Sequence, residues 1–81
     1  MENIMDSNNT YRTSDLHLAA FLRAKGMRIL DTTKNGGRST FIFGDKGNSK
    51  ELIQEFFNDG MVSITAFKNA LQDLKTMVYN V

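Results

Sequence analysis

The sequence predicts an α+β fold in which a two-stranded antiparallel hairpin packs against three helices. Apolar residues recur at spacings of three and four from Ile64 to Val81. At ~100° per residue this spacing forms one apolar stripe along a helix. Two β-rich runs flank Asn35-Gly36, a dipeptide that tolerates the positive φ angles of a tight type I′ turn. The predicted order is therefore helix, hairpin, short helix and long C-terminal helix.

The N-terminal residues 1–11 are polar, rich in asparagine and without periodicity. This composition is typical of a flexible tail, so we expect the folded domain to span residues 12–81. The chain of 81 residues has the length of one domain. A chain this short has a thin core, in which each large apolar side chain matters.

The first predicted helix begins near Thr13 or Ser14, either of which can cap it, and Asp15 adds negative charge at the positive end of the helix dipole. Gly26 is a natural left-handed residue to end it. The apolar residues between these limits lie nearly all the way round the helix. One hairpin and two helices do not readily cover such a helix, so we expect a homodimer or a higher oligomer.

The hairpin prediction assigns a face to each large side chain. With the turn at Asn35-Gly36, Leu30 lies opposite Phe41 and shares the core face with Phe41 and Phe43. A turn at Gly36-Gly37 shifts the strand partners but keeps Leu30 with the two phenylalanines. An isolated hairpin is marginally stable in water, so this one must lie on helices.

Two helices follow the hairpin. The spacing of Asn48 and Glu51 resembles a capping box at the start of the first of them. We expect this helix to bury four apolar residues, Leu52, Ile53, Phe56 and Phe57. Ser63 is the expected N-cap of the last helix.

Several classes of function lack support in the sequence. The absence of cysteine excludes disulfides and thiolate metal sites within residues 1–81. His17 is the single histidine, and no other potential ligands stand at metal-site spacings around it. No catalytic motif is present, so we expect a protein that is not an enzyme and that needs no metal or cofactor. No apolar run approaches the ~20 residues of a membrane span, and the N-terminus does not resemble a signal peptide, so we expect a cytoplasmic location.

The distribution of charge is more informative than the net charge of +1. Six basic residues face two acidic ones between Arg12 and Arg38, whereas four lysines face five acids from Asp45 onward. Basic side chains in the middle segment, and one flank of the last helix, are candidates for binding an anion or nucleic acid. These candidates are Arg23, Lys25, Arg28, Lys34, Arg38, Lys68, Lys75 and Tyr79.

Both parts of this set have a simpler interpretation. Glycines between Lys34 and Arg38 let backbone N–H groups approach an oxyanion, but an ordinary solvated hairpin turn explains the same residues. On the last helix, Lys68 and Lys75 can extend past the edge of a buried face while Tyr79 half-covers the core. The sequence leaves these alternatives open.

The chain resembles a small family of uncharacterised prokaryotic and phage-type domains, described only as a domain of unknown function. The resemblance runs from about residue 12 to the end, and most of its motifs are packing and capping positions. They are Thr13-Ser14-Asp15-Leu16, Ala19-Ala20-Phe21-Leu22, Lys25-Gly26, Phe41-Ile42-Phe43, Phe56-Phe57-Asn58, Ala70-Leu71, Leu74-Lys75 and Val78-Tyr79. The resemblance implies a setting in phages or mobile elements and supplies no catalytic residues.

Two hypotheses follow for the function. The first is a non-catalytic binding module, active as a homo-oligomer, for an anionic partner such as nucleic acid or a phosphate-bearing nucleotide. The alternative is a phage-type inhibitor or adaptor that binds a host protein, for example in a defence system, and that takes no nucleotide ligand. The two differ in their dependence on salt, because phosphate contacts weaken steeply as salt rises.

Overall fold

The computed structural model describes residues 10–79, and within them it has three helices and one three-stranded antiparallel sheet. The elements are β1 (Thr10–Thr13), α1 (Leu16–Ala24), β2 (Arg28–Asn35), β3 (Arg38–Gly44), α2 (Ser49–Phe57) and α3 (Ile64–Tyr79). The α+β class is confirmed. The prediction of a two-stranded hairpin is wrong, because the sheet contains a third strand.

The additional strand, β1, pairs with β3 and makes β3 the central strand of the sheet. Its register runs from Thr10 opposite Gly44 to Thr13 opposite Phe41. Thr10 and Tyr11 belong to this strand and not to the predicted flexible tail, and the rest of that predicted tail, residues 1–9, lies outside the described residues. A strand of four residues is too short to show the alternation that identifies longer strands.

The hairpin turn is formed by Gly36 and Gly37, with φ angles of 60° and 87°. Asn35 pairs with Arg38 and is the last residue of β2, so the predicted turn at Asn35-Gly36 is wrong and the alternative is correct. A type I′ turn requires positive φ at both central residues, and two glycines adopt that conformation at a lower steric cost than asparagine and glycine.

Leu30 does not share the core face with Phe41 and Phe43, contrary to the prediction. A β-bulge lies between Ile29 and Asp31, so Ile29 takes the place opposite Phe43 that regular pairing would give to Leu30. Ile29 packs against the core, and Leu30 is 52% exposed. Its side chain lies over Gly44, where a Cβ atom would be 3.6 Å from Leu30 Cδ2.

Helix α1 lies at the centre of the core. Its residues from Leu18 to Leu22 are all buried, and it contacts α3, α2 and β1. Phe41 and Phe43 from the sheet and Leu74 from α3 belong to the same buried cluster. A single chain therefore covers α1 on several sides, which removes the reason for which an oligomer was expected.

The cap of α1 is Asp15 rather than Thr13 or Ser14. Its carboxylate oxygen Oδ1 accepts hydrogen bonds from the backbone N–H of His17 at 3.0 Å and of Leu18 at 3.1 Å. Thr13 Oγ1 accepts from the N–H of Asp15 at 3.1 Å, and the Ser14 hydroxyl bonds to that of Thr40 on β3 at 3.0 Å. The hydrogen bond between Ser14 and Thr40 thereby fixes the start of α1 next to β3.

Asn48 is the N-cap residue of α2, as predicted, but the side chain that bonds to the start of the helix is that of Asp45, three residues earlier. Asn48 makes no side-chain capping bond, so the predicted capping box is wrong. Asp45 accepts hydrogen bonds from the Ser49 hydroxyl at 2.5 Å, the Ser49 N–H at 3.3 Å and the Gly47 N–H at 2.8 Å. The bond from the Ser49 hydroxyl is the main cause that lowers the pKa of Asp45 from its ordinary value of 3.8.

The connection between α2 and α3 leaves large apolar side chains in solvent. Phe57, predicted to be buried, is 67% exposed, and Ile64 in the predicted apolar stripe is 77% exposed. Leu52, Ile53 and Phe56 pack against the core, as expected. The cap of α3 is confirmed, since Ser63 Oγ accepts from the N–H of Ala66 at 3.2 Å.

Gly60 is a position at which a side chain cannot be accommodated. A Cβ atom there would lie 2.5 Å from the backbone oxygen of Glu55 and 2.8 Å from its carbonyl carbon. We predict that Gly60→Ala lowers the free energy of unfolding by about 1–3 kcal/mol, because backbone must move. Gly44→Ala is the matched control, since its Cβ would meet only the Leu30 side chain at ordinary contact distances. Urea unfolding measures the free energy of unfolding of both variants, and an equal loss of stability in the two would contradict the predicted clash.

The hydrogen bonds of Asp45 make part of the stability dependent on pH. The pKa of Asp45 in the folded state lies below its ordinary value of 3.8, so the stabilisation is complete above pH 3.8. It is lost as the pH falls through the lower, folded-state pKa. We predict that Asp45→Ala costs about 1 kcal/mol at neutral pH, as loss of a helix cap does. Asp45→Asn should flatten the loss of stability below pH 3.8.

Thermal unfolding between neutral and acidic pH checks this prediction. Asp59→Asn is the control, because Asp59 is exposed and forms no hydrogen bond or ion pair through its carboxylate with other residues in 10–79. The prediction is wrong if Asp45→Asn keeps the full acid dependence of the unmodified chain.

Candidate functional site

The sheet contains the excess positive charge of the described residues. It has four basic residues, Arg12, Arg28, Lys34 and Arg38, and one acidic residue, Asp31. In the remainder of residues 10–79, six basic residues are balanced by six acidic ones. A net charge of +3 therefore belongs to the strands, while the helices and loops together are neutral.

Strand alternation separates these side chains between two faces. Phe41 and Phe43 point into the core, so the residues that pair with them also lie on the inner face of the sheet. The residues before and after these along each strand lie on the opposite face. We call the opposite side the outer sheet face; its charged residues are Arg12, Arg28, Asp31 and Arg38. All four are exposed. The described helices pack on the inner side, and none contributes a charged residue to this face.

The basic residues of the outer sheet face are spread along it. Arg12 on β1 and Asp31 on β2 both pair with Ile42, so they lie about two strand spacings, ~10 Å, apart. Arg28 pairs with Gly44 and Arg38 lies six residues earlier on β3. At ~3.3 Å per residue these two side chains are separated by about 20 Å along the strands. They therefore do not converge on one small anion.

Two of the predicted candidate residues are already paired with carboxylates. Arg23 on α1 lies 3.3 Å from Asp73 on α3. Lys25 lies 3.2 Å from Glu55 on α2, with its Nζ 5.6 Å from the centre of the Phe21 ring. Both pairs are partly exposed and worth little individually, but they position these cations along the helices rather than beside the sheet.

The other predicted candidates also lie apart from the outer sheet face. Lys34 pairs with Ser39 and therefore points to the inner side of the hairpin, opposite to Arg38. The hairpin tip thus does not combine both cations around one oxyanion. Lys68, Lys75 and Tyr79 are exposed on α3, a helix on the inner side of the sheet, so they belong to a separate surface.

Arg12 is not among the predicted candidate residues, although it contributes to the excess of positive charge between Arg12 and Arg38. Arg12 is on β1, the strand that was not predicted. Its partner Ile42 on β3 brings it onto the same face as Arg28 and Arg38. The one sequence signal for this strand is the alternation of side chains from Thr10 to Thr13, and four residues are too few for that alternation to identify a strand.

The described residues contain no group of three or more histidine or acidic side chains arranged to hold a metal ion. His17 is exposed on α1. Among residues 10–79, no helix has both the length and the apolar character of a membrane span.

Comparison with known proteins identifies a family without assigning an activity. A family model described as "Domain of unknown function (DUF5659)" matches residues 8–80. No curated protein and no solved structure gives a significant match. Because the match covers every element from β1 to α3, the chain belongs to the DUF5659 family.

Proposed function

We propose that the protein is a non-catalytic module that binds the phosphate backbone of a nucleic acid across the outer sheet face. The observation that supports this proposal is the concentration of charge on one side of the sheet. Arg12, Arg28 and Arg38 are exposed there against a single carboxylate, Asp31. None of the three arginines forms an ion pair with any carboxylate among residues 10–79.

The spacing of these arginines favours a polymer over a free nucleotide. A single phosphate is held by groups that converge on it, whereas Arg28 and Arg38 are about 20 Å apart along the strands. A strand of nucleic acid presents phosphates repeatedly over such a distance. Of the two anionic partners that the sequence suggested, the geometry therefore supports nucleic acid.

Binding of this kind has little dependence on base sequence. Ile42 and Leu30 are the large apolar side chains of the outer sheet face, and no aromatic ring among residues 10–79 accompanies them. Stacking of bases on aromatic rings is thus not provided by this face. Contacts to phosphates position a nucleic acid without reading its sequence.

The test is fluorescence anisotropy with a labelled single-stranded DNA of mixed sequence, longer than the sheet, at low salt. We predict that Arg12→Gln and Arg38→Gln each weaken binding about two- to fivefold, because each removes one phosphate contact. Each should also reduce the slope of log K against log salt by ~0.7. Lys68→Gln and Lys75→Gln are matched controls that remove the same charge from α3 and should leave both quantities unchanged.

The controls distinguish two kinds of failure. If the two lysine variants weaken binding and the arginine variants do not, nucleic-acid binding stands but the outer sheet face is the wrong site. If single-stranded DNA, single-stranded RNA and duplex DNA all fail to bind at low salt, the proposed function itself is wrong.

A second candidate function is favoured by exposed apolar residues at the α2–α3 connection. Phe57, Met61 and Ile64 are 67%, 83% and 77% exposed, and we call them the connection patch. Phe57 is held by an edge-to-face contact with Phe56, the ring centres being 5.0 Å apart. A contiguous exposed apolar surface favours protein binding, and we propose that these three side chains form one. In the phage-type setting implied by the resemblance, the partner would be a host protein or a second copy of the chain.

Analytical ultracentrifugation tests whether the connection patch joins copies of the chain. We predict that Phe57→Ser and Ile64→Ser each weaken self-association at least tenfold, because buried aromatic and aliphatic anchors dominate interfaces. Tyr79→Ser is the control, since Tyr79 is also an exposed apolar side chain but lies at the far end of α3. A monomer at all concentrations would exclude the homo-oligomer and leave a different protein as the partner of this patch.

A further inference from the structure

A cleft of 530 Å³ opens at the end of the sheet where β2 begins and β3 ends. Residues that line it include Met27, Arg28, Leu30, Gly44, Asp45 and Lys46. Its volume lies within the ~300–1,000 Å³ that small-molecule sites occupy. Three separate segments meet there, namely the connection after α1, the hairpin and the loop before α2. The cleft is distinct from the connection patch and shares only Arg28 with the charged residues of the outer sheet face.

The β-bulge gives this cleft an apolar wall. Because Leu30 is the additional residue of the bulge, its side chain points away from the core and lies against Gly44. Gly44 has no side chain, so Leu30 lies directly against its backbone, and Leu30 stays 52% exposed. Bulges commonly redirect a side chain next to a binding site. A buried Met27 completes the apolar surface.

The charges of the cleft sum to +1. Arg28 and Lys46 are exposed and form no ion pair with carboxylates in the described part of the chain. Asp45 lies beside them, but its carboxylate already accepts hydrogen bonds from the Ser49 hydroxyl and from the N–H groups of Gly47 and Ser49. Its acceptor oxygens are thus directed toward α2, while the two cations remain available at the edge of an apolar cleft.

We propose that this cleft binds a small amphipathic monoanion, with an apolar body against Leu30 and Met27 and its anionic group between Arg28 and Lys46. The ligand class is a soluble molecule that has one carboxylate, sulfonate or singly charged phosphate ester on a hydrophobic body. The net charge of +1 in the cleft matches the single negative charge of such a ligand. Burial of the half-exposed Leu30 side chain by the apolar body of the ligand contributes to binding. This site shares Arg28 with the proposed nucleic-acid surface, whereas Met27 and Lys46 belong to the cleft alone.

Two fluorescent probes that differ mainly in one charged group test the proposal on the full chain. Anilinonaphthalene sulfonate has the sulfonate, and phenylnaphthylamine has a similar aromatic body without it. We expect the sulfonate probe to bind more tightly than the neutral one. Lys46→Gln should weaken binding of the sulfonate probe about two- to fivefold, as expected for the loss of one exposed ion pair. It should also remove most of the preference for the sulfonate probe over the neutral one.

Leu30→Ser should weaken both probes about fivefold, because it removes the apolar wall that both share. Phe57→Ser is the control for apolar surface elsewhere and should leave both affinities unchanged. Arg12→Gln controls for positive charge elsewhere on the sheet and should not change probe binding, whereas it weakens DNA binding if the proposed function is correct. Leu30→Ser should leave DNA affinity within about twofold.

Amide chemical shifts measured by NMR provide a readout that does not depend on probe brightness. The sulfonate probe should shift the amides of Met27, Gly44 and Lys46 in a protein whose remaining spectrum is unchanged. The proposal is overturned if the neutral probe binds as tightly as the charged one, if Phe57→Ser abolishes binding, or if the shifted amides lie around the connection patch.

Discussion

The burial of α1 is the constraint on which the rest of the structure depends. Five consecutive residues of this helix, from Leu18 to Leu22, are buried, so it needs neighbours on several sides at once. In a chain of 81 residues the sheet, α2 and α3 all contribute to that cover. Leu22, Phe43 and Leu74 are each completely buried in the resulting cluster. The described helices all pack to one side of the sheet, and three exposed arginines are found on the other side.

Much of this arrangement could be predicted from residues with local chemistry. The stop at Gly26, the cap at Ser63 and the existence of the three helices follow from backbone rules that operate over a few residues. The pairing of the strands, and hence the sheet face on which each side chain lies, could not be predicted in the same way. Pairing of β1 joins residues about thirty positions apart, such as Arg12 and Ile42, and no local pattern in a four-residue strand specifies it. Arg12 is consequently absent from the predicted candidate residues.

The same reasoning explains why the predicted basic residues are dispersed. A list of cations from the sequence contains no information on which carboxylates they meet after folding. Arg23 and Lys25 find Asp73 and Glu55, which lie fifty and thirty residues further along the chain. Alternation along the hairpin then separates Lys34 from Arg38. Tertiary pairing therefore reduces eight candidates to a smaller set, and adds the one arginine that the unpredicted strand contributes.

Leu30 is the residue at which local reasoning failed most clearly, and its position favours a functional interpretation. Either predicted turn placed it in the core, and in a domain with so few large side chains its loss from the core has an energetic cost. Regular pairing would have kept it opposite Phe43, but the bulge gives that position to Ile29 and turns Leu30 toward Gly44. Departures from the locally consistent solution tend to occur at functional sites. The bulge brings an apolar side chain next to Arg28 and Lys46 in an open cleft, so the failed prediction and the proposed ligand site have the same physical cause.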